Sequence, residues 1–180
     1  MAGVNTSLNS YSLSGPFLKT DAKLGYNANT FLRFKIASLV IQPEFGFMVN
    51  RTGLTYTENL NSIESNYTQS QFYGGTMVGL KLANIRFMAG PLIYNNTSES
   101  NSSTMPTSLK ISTISANNSF NWGGQIGLGI DIAKKWSFDA RFQKVFTNSL
   151  ILAEVSSVPN NLSLSQGSIF LTIGYSFLKM

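Results

Sequence analysis

Phe120-Asn121-Trp122-Gly123-Gly124-Gln125-Ile126-Gly127-Leu128-Gly129-Ile130-Asp131-Ile132 decides the fold. Its even positions are Phe, Trp, Gly, Ile, Leu, Ile and Ile; its odd positions are Asn, Gly, Gln, Gly, Gly and Asp. Side chains of a strand alternate between two faces, so this segment is a strand with one face fit for lipid and the other small or polar. Thirteen residues exceed a usual soluble strand but suit a tilted membrane strand that runs past the lipid.

Outward from that stretch the pattern recurs. Trp136, Phe138, Ala140, Phe142 and Phe146 share a face opposite Ser137, Asp139, Arg141, Gln143 and Thr147, with Lys144 breaking the apolar side. Similar alternation runs through Tyr26–Ile36, Leu39–Asn50, Phe72–Leu82, Ile85–Tyr94 and Leu164–Phe177. That makes seven strands. A closed barrel is expected to use an even number, and Ala2–Leu8 supplies a short eighth. The fold expected is all-β, an eight-stranded antiparallel up-and-down transmembrane β-barrel, one domain over residues 1–180.

Connections fall into two classes. Those at 37–38, 83–84 and 133–135 are tight turns; those at about 9–20, 53–66, 96–115 and 151–163 are read as long loops, rich in Asn, Ser and Thr and of a composition that can stay poorly ordered. The two classes alternate along the chain, which puts every short turn at one end. Outer-membrane barrels have short periplasmic turns and long outer loops. The expected location is therefore a bacterial outer membrane, with both termini periplasmic and the long loops extracellular. The start Met1-Ala2-Gly3 carries no leader, so a secretory signal is expected to have been removed, with Met1 as an expression start.

Composition narrows the function. The chain has 13 Phe and 7 Tyr against 8 acidic residues, and no apolar run approaches the roughly 20 residues of a spanning helix. A soluble sandwich or lipocalin-like barrel would also alternate, but a soluble exterior normally carries far more Lys and Glu than the polar face here. There is no Cys and no His, which removes thiolate chemistry, Ser–His triads and the commonest metal ligands. Asp21, Glu58, Glu64, Glu99 and Glu154 form no acidic cluster that would hold calcium. No enzyme, metal or cofactor is expected. The net charge is +5, but the 13 Lys and Arg are scattered, with one adjacent pair at Lys134-Lys135, so nucleic acid is not an expected partner.

Eight charged residues fall on the polar face and are expected inside: Glu44, Arg33, Arg86, Asp139, Arg141, Lys35, Lys81 and Asp131. A narrow lumen cannot leave them unpaired, so an internal ionic network that holds strand register is expected, with Glu44 pairing with Arg33, Arg86 or Arg141. Inward glycines at 75, 79, 90, 127, 129 and 174 make room for the larger inward side chains. Trp122, Trp136, Tyr175 and Phe177 lie near strand ends on the apolar face and are expected to form interfacial girdles. Trp136 follows the Lys134-Lys135 turn and marks the periplasmic side; Trp122 marks the outer one.

Several short motifs resemble one family. Ala2-Gly3-Val4-Asn5-Thr6-Ser7, Ile41-Gln42-Pro43-Glu44-Phe45, Phe87-Met88-Ala89-Gly90-Pro91, Gly127-Leu128-Gly129-Ile130-Asp131, Phe138-Asp139-Ala140-Arg141-Phe142, Phe146-Thr147-Asn148-Ser149 and Ile173-Gly174-Tyr175-Ser176-Phe177 follow in order the strand motifs of small outer-membrane β-barrels of Bacteroidetes-type bacteria. The run Phe31-Leu32-Arg33-Phe34-Lys35 before the Gln-Pro-Glu strand resembles the PorT-like subgroup. That resemblance implies gliding motility and type IX secretion, hence a structural or accessory component of an outer-membrane assembly, with outer-membrane lipid and a larger protein complex as partners. Two other readings stand beside it: surface adhesion or ligand binding through the long loops, and a small pore.

Overall fold

The computed structural model describes residues 1–8, 10–12, 18–58, 61–103, 109–112, 120–132, 135–146, 149–155, 158–165 and 167–176. Eight antiparallel strands close a barrel: β1 (Ala2–Ser7), β2 (Leu18–Phe31), β3 (Leu39–Glu58), β4 (Asn61–Leu82), β5 (Ile85–Ser103), β6 (Phe120–Ile132), β7 (Trp136–Val145) and β8 (Gly167–Tyr175). Each pairs with its sequence neighbour, and β1 closes the ring on β8, with Val4 opposite Leu171. The short first strand suffices because β1 also pairs with β2 from Ala2↔Ala28 to Thr6↔Leu24.

The wall turns the chain's polarity inside out. Gln42 and Arg86 are 0% exposed, while Leu128 is 52% and Ile126 60% exposed. A continuous outward belt of large apolar side chains on a closed wall has one compatible surrounding, a lipid bilayer. Ten residues separate Trp122 from Ile132, the register partner of Trp136. At about 3.3 Å per residue and a tilt of roughly 40°, that is about 25 Å of height, the apolar thickness of an outer-membrane barrel.

Two of the tight turns stand as read, at Ala37-Ser38 and Ala83-Asn84; residues 133 and 134 of the third lie outside the described residues. Ala37 and Ala83 have φ of 54° and 52°, a left-handed conformation that crowds a Cβ against its own carbonyl. Ala37→Gly and Ala83→Gly should each stabilise the folded barrel by about 1 kcal/mol, less the extra entropy glycine brings to the unfolded chain. Thermal melting in detergent checks this; a fall in melting temperature for both variants would refute it.

One strand departs from its expected continuity. Tyr26–Ile36 is interrupted at Leu32-Arg33, and Phe34–Ile36 resumes pairing with β3. Leu32 N–H donates to the Pro43 carbonyl at 3.0 Å, but Pro43 has no N–H to return the bond, so the ladder breaks opposite it.

The larger correction concerns the long connections, which are mostly strand. β3 and β4 stay paired from Leu39↔Leu80 to Glu58↔Asn61, so residues 53–58 and 61–66 are strand. β5 runs to Ser103 through the Asn/Ser/Thr stretch. Ser10–Ser12, Leu109–Ser112, Ser149–Val155 and Val158–Ser165 form a second, four-stranded sheet that includes most of 151–163. The physical reason is that a ladder is held by backbone hydrogen bonds, and a strand pair already registered in the membrane extends them at little entropic cost. Once the wall leaves the lipid, both of its faces meet water, so the alternation that marks a strand lower down is not required.

Candidate functional site

The inward positions of β3, in order, are Val40, Gln42, Glu44, Gly46, Met48, Asn50 and Thr52, all buried. They run through the layers of the lumen from the short-turn end upward. Charge comes first. Lys81 Nζ pairs with Asp131 Oδ2, and Arg33 Nη1 lies 3.3 Å from Asp131 Oδ1. Arg86 bridges two acids, with Nε 3.0 Å from Asp131 Oδ1 and Nη2 2.8 Å from Asp139 Oδ1. Arg141 then joins Asp139 Oδ2 at 3.1 Å to Glu44 Oε2 at 2.6 Å. Signs alternate along Asp131–Arg86–Asp139–Arg141–Glu44, so no buried charge faces only its own kind.

Neutral amides complete the coordination. Gln125 Nε2 donates to Glu44 Oε1 at 2.9 Å and Gln42 Nε2 to Glu44 Oε2 at 3.2 Å. Gln42 Oε1 in turn accepts from Arg33 Nε at 2.8 Å. Beside this chain Val40, Met77 and Met88 pack together. Above it Met48, Tyr73, Leu92, Tyr94 and Phe170 form an apolar plug, each at most 3% exposed. Highest is a layer of amides: Asn5 Nδ2 donates to Asn50 Oδ1, Asn50 Nδ2 to Gln71 Oε1 at 3.1 Å, and Gln71 Nε2 to Asn96 Oδ1 at 2.6 Å.

Of the eight charged residues expected inside, seven meet in this chain. Lys35 does not. It is exposed although its register partner Val40 is buried, because it lies two residues from the Ala37-Ser38 turn and past the last β1–β2 pairing. The amides and the plug carry as much of the filling as the charges do, and alternation alone would have placed them: each lies on the face of Glu44 or its register partners.

The girdle residues stand on the outward face. Trp136 meets Tyr175 edge-on, ring centres 5.1 Å apart, and Lys135 Nζ lies 5.7 Å from the Tyr175 centre. At the other end Trp122 meets Phe146, also at 5.1 Å. Phe177 lies outside the described residues.

Residues 2–150 match the family described as outer membrane protein beta-barrel domain. The chain belongs to that family. It is an outer-membrane β-barrel, and among the described residues the inward carboxylates Glu44, Asp131 and Asp139 are each bound to cations. No curated protein matches the chain in sequence. Among solved structures, this outer-membrane barrel is similar to outer membrane protein AlkL in lipid bilayers, at 11% identity over 99% of this chain and 91% of that one, with a TM-score of 0.51. It is also similar to Ail, the attachment invasion locus protein of Yersinia pestis, at 11% identity over 97% of this chain and 93% of that one, with a TM-score of 0.46. At such identities the likeness to AlkL speaks for the fold alone, and the likeness to Ail carries no argument.

Proposed function

We propose that this barrel is a non-conducting anchor that presents a strand-built rim at the cell surface for binding, with its termini and tight turns periplasmic. The observation that carries this reading is the height of the wall. β3, β4 and β5 have 20, 22 and 19 residues, where a tilted strand needs about 9–11 to cross the lipid. The excess is all at one end and is kept in ladder rather than left as loose chain. Rigid elements position contacts better than loops do. A filled lumen supports the same reading against a pore: charge, apolar plug and amide layers lie in series across the path, and the ionic chain is proposed to hold the register of β3 to β7.

Two measurements test it. Planar-bilayer recordings of the reconstituted protein should show no stable conductance; a reproducible open channel would sink the plugged-lumen reading. Shortening the β3–β4 hairpin above Arg51 and Thr68 to a tight turn should leave the barrel folded and abolish adhesion of expressing cells. Undiminished adhesion with the hairpin removed would end the surface-binding reading. An accessory place in a larger assembly, as the PorT-like resemblance implies, would appear instead as one stoichiometric large partner in a gentle pull-down from native membranes.

A further inference from the structure

Four inward cations, Arg33, Lys81, Arg86 and Arg141, each have a carboxylate within 3.3 Å. Two cations on the outside of the wall are arranged differently. Lys23 on β2 and Arg51 on β3 are direct register partners. Like charges placed opposite each other destabilise a sheet. Among the residues whose side chains are described, neither has a carboxylate within ion-pair distance. Their partners are neutral: Lys23 Nζ donates to Asn66 Oδ1, and the Arg51 guanidinium lies 5.9 Å from the centre of the Tyr26 ring. Asp21, two residues from Lys23, is engaged sideways, accepting from Thr55 Oγ1 at 3.3 Å.

A bulge makes this pair. Leu24 opposes Thr6 on the outward face, so simple alternation would turn Lys23 into the lumen. Between Lys23 and Tyr26 the β2–β3 register shifts, with Leu24 and Gly25 opposite Asn50 alone. The shift brings Lys23 onto the face of Arg51, and re-aiming a side chain is what bulges do. Position then says what the pair meets. Leu24 and Tyr26 are 65% and 51% exposed at the top of the apolar belt. Arg51 is two residues above Val49, the partner of Tyr26, hence about 5 Å higher, where lipid tails give way to headgroups.

We propose that Lys23 and Arg51 form an outward-facing site for the phosphate of a lipid headgroup. The guanidinium offers a planar fork to two phosphate oxygens, the ammonium a compact charge beside it, and Tyr26 seats the acyl-chain side of the boundary. The membrane supplies an anionic partner for the pair. This assignment needs only the barrel and its belt, and does not depend on what the rim binds.

Native mass spectrometry of the detergent-folded protein tests it, with dioleoyl phosphatidic acid as probe, dioleoylglycerol as its phosphate-free match, and inorganic phosphate as competitor. Wild type and Lys35→Gln should each retain one phosphatidic acid. Lys23→Gln/Arg51→Gln should hold it roughly tenfold more weakly, two cations having been lost from an anionic surface contact. Arg51→Lys should fall between. Heat-shifted gel mobility verifies folding, and the two single variants carry the comparison if the double variant misfolds. Equal retention by the charge-deleted variants, or equal retention of dioleoylglycerol by wild type, overturns the site. Displacement of the lipid by millimolar inorganic phosphate overturns the headgroup assignment in favour of a soluble anion.

Discussion

Glu44→Gln lowers the unfolding temperature of the detergent-folded barrel by roughly 10 °C while leaving the fold intact. The Glu44 side chain is 0% exposed, and its carboxylate accepts from Arg141 Nη1 at both oxygens, 2.6 and 2.9 Å away. Gln keeps the shape and one acceptor but removes the charge. Arg141 is then left with Asp139, which it already shares with Arg86. Removing one partner of a buried pair costs about 3–5 kcal/mol, and the surviving Asp139 contact puts this case near the lower end, about 3 kcal/mol. For a chain of this size that is about 10 °C. The sharper expectation concerns the double variant. Glu44→Gln/Arg141→Gln removes both charges, so it should be less destabilised than the sum of the single variants, because neither leaves an orphan. Thermal unfolding of the four proteins, followed by tryptophan emission and by gel mobility, gives the cycle. Strict additivity, or a Glu44→Gln melting point equal to wild type, would show that the pair is not coupled.

Much of this wall is legible in the sequence because a strand's period is two. Phe120–Ile132 and Trp136–Val145 pair residue for residue from Trp136↔Ile132 to Val145↔Gly123, with the expected residues sharing each face. Alternation cannot say which face is inside, since a soluble barrel and a membrane barrel differ in that respect and not in period. Closure answers it. Nor does alternation choose the partner of Glu44 among three arginines: Glu44 on β3 and Arg141 on β7 meet across the lumen, and no local pairing connects them. The rim is harder to read for the opposite reason. Asn95–Ser103 has the composition of a loop, and its extended ladder depends on β4 being held beside it. Lys23 is hidden by a single register shift, which moves one side chain to the other face without altering the residues around it.

Gly129→Ala shows how closely the ionic chain fits its container. A Cβ at this inward position would lie 2.7 Å from Arg86 Nη2 and 2.8 Å from its Cζ, and closer still to Asp139 Oδ1. Those atoms form the Arg86–Asp139 bridge at 2.8 Å, with Arg86 wholly buried. One methyl group must therefore displace both partners, leaving Arg86 its ion pair with Asp131 and a long contact, 3.5 Å, to Gln42 Oε1. The expected loss is about 3 kcal/mol or more, from strain together with a weakened buried pair. Gly74→Ala is the matched control. Its Cβ would meet nothing nearer than 3.8 Å, an ordinary contact with Glu44 O and Phe45, and a strand alanine should then be stabilising by about 0.5 kcal/mol through the entropy of the unfolded chain. The two substitutions are chemically identical and lie in the same barrel, so the difference between their melting temperatures isolates the space that Arg86 and Asp139 occupy. Equal shifts for the two variants would mean that the glycine at 129 is incidental to the bridge. A Gly129→Ala defect that disappears when Asp139 is also changed to Asn, leaving an uncharged and more pliable partner, would assign the cost to the ion pair rather than to the backbone.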